Sequence, residues 1–144
     1  MKLKSFRGSI ADGAIQKIRL STNNGLTGYK IKKFEIIAVN SGTTDFEHTV
    51  MLHTIEPSAA TATVNFDDPT LLGVAFTEGN NSSNYIGQPL INIFDSVKFN
   101  QDIFVSHVDS KGALNVNYYV ELEQVTLSQD EETVATLKDM RGSN

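Results

Sequence analysis

The chain has no cysteine among its 144 residues. That excludes a disulfide framework, a thiolate metal site and a cysteine nucleophile, so stability beyond the core has to come from packing or association. Long apolar runs are equally lacking, since no segment approaches the roughly 20 residues that a bilayer-spanning helix needs. The basic residues of positions 1–8 have no apolar stretch behind them, so they do not read as a targeting signal, and an untargeted soluble product is expected. Also missing are a Gly-x-Ser-x-Gly nucleophile elbow and a glycine-rich phosphate loop.

What is present suits one domain with a real core: 40% of the residues are apolar and 20% charged. The most informative stretch is residues 112–127. There Leu114, Val116, Tyr118, Val120 and Leu122 fall on every second position, with Asn115, Asn117, Glu121 and Glu123 between them. A period of two puts the sets on opposite faces of a strand, one in the core and one in water. Val125 and Leu127 then occupy the other phase, which predicts a bulge or a corner between two sheets near Gln124.

Shorter strands precede it. Residues 15–20 read as a strand with Ile18 and Leu20 on one face, or as a helical turn with Ile15 and Ile18 together; the polar loop after them, with Asn24-Gly25, favours the strand and predicts a hairpin into the next. From Tyr29 to Val39 the alternation changes phase at Lys32-Lys33, with Tyr29 and Ile31 before and Phe34, Ile36 and Ala38 after, so a bent strand is expected. Residues 47–55 resume alternation until Pro57, and residues 58–66, rich in Ala and Thr, read as a thin edge strand ending before Pro69. Residues 71–77, 90–94 and 103–108 are apolar runs; the polar residues 78–84 read as an exposed loop, and Asp109-Ser110-Lys111-Gly112 as a hairpin into the long strand. Ser128-Gln129-Asp130-Glu131 has capping-box spacing, with Val134, Leu137 and Arg141 following at helical intervals. The fold expected is an all-β sandwich of about eight strands, the number that suits a jelly roll or an immunoglobulin-like sandwich, with the jelly roll preferred. It divides into an N-terminal arm (1–14), the sandwich (15–127) and a tail with a short helix (128–144).

The net charge of −5 is unevenly spread. Through Lys33 there are eight basic residues and only Asp12 opposing them, formally +7; the remainder carries four basic and sixteen acidic residues, formally −12. Two explanations stand side by side. Basic early strands can lie beside acidic late strands in one subunit, or a basic arm anchored by Phe6 can dock on an acidic neighbour. The second makes Lys2, Lys4, Phe6, Arg7, Lys30, Lys32 and Lys33 a candidate interface. Nucleic acid is not an expected partner, because phosphate binding wants clustered base without nearby acid.

No catalytic, cofactor or metal site is expected. His48 and His53 are five apart and project to opposite faces of a strand, unlike the paired histidines of a metal-binding barrel. Asp67-Asp68 and Glu131-Glu132 are adjacent, so on an extended chain their carboxylates point apart and cannot share a proton. Tyr119 alone is free to stack on a sugar, since alternation sends Tyr118 inward.

In Ser5-Phe6-Arg7-Gly8, Ile18-Arg19-Leu20-Ser21-Thr22-Asn23, Leu26-Thr27-Gly28-Tyr29-Lys30-Ile31, Val97-Lys98-Phe99-Asn100-Gln101-Asp102-Ile103, Asn117-Tyr118-Tyr119-Val120-Glu121-Leu122-Glu123-Gln124-Val125 and Thr133-Val134-Ala135-Thr136-Leu137-Lys138-Asp139-Met140-Arg141 the sequence resembles small virion structural proteins of marine tailed bacteriophages. Residues from about 43 to 89 lie outside this resemblance. It implies a non-enzymatic virion component, assembled in the bacterial host cytoplasm, without cofactor, nucleic-acid or membrane partner. Within that class a small sandwich looks like a head decoration or cement protein, a homo-oligomer with a trimer favoured, bound to the major capsid protein or another virion protein. A tail or fibre component with a glycan-binding face is the alternative.

Overall fold

A computed structural model describes residues 2–20, 26–40, 45–79 and 90–128. The Asn24-Gly25 turn, most of the loop expected over 78–84 and nearly all of the C-terminal helix fall outside the described residues. Eight strands are present: β1 (Lys2–Ile10), β2 (Ile15–Ile18), β3 (Thr27–Ala38), β4 (Phe46–His53), β5 (Leu71–Gly79), β6 (Leu90–Phe94), β7 (Ile103–Asp109) and β8 (Val116–Thr126). They form two antiparallel sheets, ordered β1-β8-β3 and β2-β7-β4-β5-β6. The chain is therefore an all-β sandwich. The jelly-roll topology is not confirmed: the sheets hold three and five strands, and β6 hydrogen-bonds to β5.

Alternation decides which side chains fill the space between the sheets. Val116, Tyr118, Val120 and Leu122 of β8, with Phe34 and Ile36 of β3 beside them in the same sheet, face inward onto Val50 and Leu52 of β4 and Ile103 and Val105 of β7. Each such fully buried aliphatic side chain contributes about 1.5–3 kcal/mol. Leu114 precedes the strand and is only half-buried.

Four expectations need correcting. First, residues 2–10 are not a separate arm but edge strand β1, paired with β8 from Lys2↔Gln124 to Ile10↔Val116. Their alternation is masked because the phase that holds Phe6 and Ile10 also holds Lys2, Lys4 and Gly8. The ring of its register partner Tyr118 lies across it, so close that a β-carbon there would stand 3.1 Å from the phenol oxygen. Second, the long strand turns no corner. Its pairing with β1 is unbroken to Gln124, and the extra residue sits in β3, where register shifts between Ile31 and Lys33, at the change of phase read from the sequence. Leu127 turns inward only after the strand has ended.

Third, β2 and β3 lie in different sheets, as do β7 and β8, so neither junction is a hairpin. The β7–β8 link is an arch built on the Asp109 carboxylate, which accepts N–H groups of Glu47, Lys111, Gly112 and Leu114 at 2.9–3.1 Å. Gly112 passes so close to the Asp45 carbonyl that no side chain fits there. Fourth, residues 58–66 form no strand. Thr61 and Asn65 side chains accept the N–H groups of Thr63 and Asp67, local bonds that compete with a ladder.

Candidate functional site

The register of the three-stranded sheet dictates its outward face. Across β1, β8 and β3 the rungs read Leu3-Glu123-Lys30, Ser5-Glu121-Lys33, Arg7-Tyr119-Glu35 and Ser9-Asn117-Ile37. The acidic positions of the central strand thus lie beside lysines of β3 on one side and neutral Leu3 and Ser5 of β1 on the other. Lys30 Nζ is 3.4 Å and Lys32 Nζ 3.9 Å from Glu123 Oε2, and elsewhere Lys17 pairs with Asp102 and Lys111 with Glu47. Three of the eight early basic residues, Lys17, Lys30 and Lys32, are thus paired with acidic residues of the later part within one subunit, as in the first of the two explanations.

The expected interface residues are consequently dispersed. Lys2 is exposed at the strand start. Lys4 leans toward the sandwich, its Nζ 3.3 Å from the Leu20 carbonyl and 5.5 Å from the centre of the Tyr29 ring. Phe6 packs on the core of its own subunit. Lys30 and Lys32 are held by Glu123, while Arg7 and Lys33 look outward from opposite edges of the sheet.

Arg7 and Lys33 border an open groove of about 1050 Å³, which also includes Glu35, Ile37, Asn117 and Tyr119 and reaches Leu90 of β6. Tyr119 donates its hydroxyl to Glu121 at 3.0 Å, which fixes the ring beside Arg7 and Glu35. A half-exposed aromatic ring flanked by a cation, a carboxylate and an amide can take a polar ligand with a flat apolar face. Ile37, 64% exposed, adds an apolar wall.

The second constellation is buried and was missed in the sequence. His48 and His107, both fully buried, meet with Nδ1 and Nε2 2.8 Å apart. His48 also stacks on Phe46, ring centres 4.9 Å apart. Burial, with His107 as a secondary cause, pushes the His48 pKa down to about 4, and burial lowers that of His107 as well. Asp109, although also buried, is held down at about 2 by the four N–H groups it accepts. A signal was available: His48 shares its phase with Phe46, Val50 and Leu52, and His107 with Ile103 and Val105, so both were due to point inward. The sequence could not supply the β4–β7 pairing that brings the two together. His53 faces the other way, as expected, with Nε2 3.7 Å from Asp68. Among the described residues no group of three His, Asp or Glu side chains is placed to hold a metal ion. This constellation is a core polar pair, and the groove is the surface open to a ligand.

No protein-family model, no curated protein and no solved structure matches this chain at a significant level.

Proposed function

We propose that this chain is a non-enzymatic structural component of a tailed-phage particle, a decoration or cement protein that binds the outer surface of the head and stabilises the shell. The resemblance of its segments to small virion proteins supports the class. The observation that carries the role is where the sandwich leaves apolar side chains outside: Ile37 and Val39 at the end of β3 and Leu90, Ile91 and Ile93 on β6 are 47–64% exposed. Ile37 and Leu90 border the same groove and form one apolar surface there, while Ile91 and Ile93 alternate to the other face of β6. Such a patch suits association with another protein surface, here the major capsid protein or another virion protein, and with further copies of itself. The test is to incubate the purified chain with heads stripped of it and image them by electron microscopy. Density repeated over the shell is expected; binding at the tail alone, or none, counts against the role.

The alternative of a tail or fibre component with a glycan-binding face is favoured by one feature, the Arg7-Tyr119-Glu35 rung beside Asn117 in the groove. It predicts saturable binding of host surface oligosaccharides that Tyr119→Ala abolishes. Titration followed by Tyr119 chemical shifts decides it.

A further inference from the structure

We infer that strand β6 is a self-association edge, pairing antiparallel with β6 of a second copy to continue the five-stranded sheet across a two-fold axis at Asn92. A sandwich has four exposed sheet edges, and natural proteins protect them with charge, bulges, brevity or cover. Three of the four here are protected. β1 carries Lys2, Lys4 and Arg7; β2 has only four residues, one of them Lys17. β3 carries Lys30, Lys32 and Lys33 with a bulge among them, and it is covered in part by Phe99, which exchanges backbone bonds with Tyr29, and by the Asn92 amide, which donates to the Phe34 carbonyl. β6, Leu-Ile-Asn-Ile-Phe, has no charge, no proline and no bulge, and among the described residues nothing pairs with its outer side.

The backbone fixes what that side offers. The Asp95 N–H donates to the Leu72 carbonyl at 2.9 Å, one step beyond the Gly73↔Phe94 pair. Antiparallel pairs alternate between hydrogen-bonded and open. Ile93 and Ile91 therefore spend their peptide groups on Val74 and Phe76, while Leu90, Asn92 and Phe94 turn theirs to the free edge. A second copy turned about Asn92 puts Asn92 opposite Asn92, Leu90 opposite Phe94, and Ile91 opposite Ile93. All three outward residues then meet outward residues, giving up to about six new backbone bonds in an isologous contact.

Side chains favour a second copy over an unrelated strand. Each apolar residue of β6 meets an apolar partner and the one polar residue meets itself, and no charge within the strand repels its duplicate. Leu90, Ile91 and Ile93 keep about half of their surface exposed, and Phe66, 69% exposed, borders a cleft shared with Ile93. The two-fold makes a dimer the unit, in place of the trimer expected from the resemblance.

The test uses the full chain. Sedimentation or light scattering at tens of micromolar should give the mass of a dimer. Ile93→Lys, on an exposed side chain whose backbone bonds face β5, should give a monomer with an unchanged circular dichroism spectrum. Because the chain has no cysteine, Asn92→Cys adds a single thiol, at the loss of the Asn92 bond to Phe34: the two-fold places position 92 against itself with Cα atoms about 5.5 Å apart, so mild oxidation should give a covalent dimer. Ile37→Cys, exposed but off the edge, should not cross-link. A monomeric wild type, including one that instead captures an extended peptide of another virion protein, overturns the proposal; so does a trimer, or a dimer that survives Ile93→Lys. This outcome is independent of where in a particle the protein sits.

Discussion

His48 Nδ1 lies 2.8 Å from His107 Nε2 in the closed interior of the sandwich, so one ring must donate and the other accept. The Ala11 and Ile10 carbonyls favour a proton on His107, and Asp109 Oδ2 lies 4.0 Å from His48 Nδ1. This arrangement suits His48 Nδ1–H as donor to a His107 that carries its own proton on Nδ1. One added proton would make one ring a buried cation, and a second would put two cations in contact.

Acid should therefore destabilise the fold in a defined window. Both histidines bind protons more weakly folded than unfolded, so stability rises with pH while the unfolded state holds the extra protons and is lost as pH falls from about 6.5 toward 4. His48 alone accounts for about 3 kcal/mol over that range. Urea denaturation at successive pH values measures the slope, and His48→Leu with His107→Leu should flatten it. Asp109, with its pKa depressed, adds a further loss below about pH 4.

Asp109 also anchors the arch into β8. Asp109→Ala leaves four N–H groups unpaired and should cost about 3–5 kcal/mol. Asp109→Asn retains the oxygen that serves Glu47, Lys111 and Gly112 and loses only the bond to Leu114, so a loss of about 1–2 kcal/mol is expected. Thermal melts of the two variants test the ordering.

Val120 is fully buried at the centre of β8. Val120→Asp places an unpaired charge there and should cost several kcal/mol, enough to prevent folding. Native-like melting of this variant would mean that the inward face has been misassigned.

The charged ladder should matter little by contrast. Glu123→Gln removes the partner of Lys30 and Lys32 at a partly exposed site, for a cost under about 1 kcal/mol that vanishes in molar salt. Stability measured at low and high salt checks this.

Removing residues 1–8 bears on the fold before it bears on any attachment. It strips most of β1 from β8 and the Phe6 side chain from the core. Phe6→Ala alone should cost about 2 kcal/mol, less than a fully buried phenylalanine. Lys2→Ala with Lys4→Ala leaves Phe6 and the backbone pairing in place and is the better probe of electrostatic docking. Particle-binding assays with that variant across a salt series, read alongside urea denaturation, separate attachment from stability.

Seven of the eight strands lie at positions where turn signals and alternation had placed strands, and even the β3 bulge is legible as a change of phase between Ile31 and Phe34. Position along the chain was readable because period two is local. Sheet membership was not, because Asp109-Ser110-Lys111-Gly112 carries turn residues whether it reverses within one sheet or crosses to the other. β1 escaped notice because Lys2, Lys4 and Gly8 share the phase of Phe6 and Ile10. The groove was half legible: Tyr119 was assigned outward from alternation, but its neighbours Arg7 and Glu35 come from strands 112 and 84 residues away, joined to it only by register.

The place of β8 has a further consequence, one of order in time. It is the middle strand of its sheet, and β7 lies between β2 and β4 in the other, so the first three strands made all wait for the last two. During synthesis β1, β2 and β3 emerge without their neighbours, and only β4, β5 and β6 can assemble from consecutive pairs. Pairing Ile10 with Val116 closes a loop of more than a hundred residues, which makes folding slow, on the scale of milliseconds to seconds. A ribosome-bound chain lacking β7 and β8 should stay protease-sensitive throughout its first three strands.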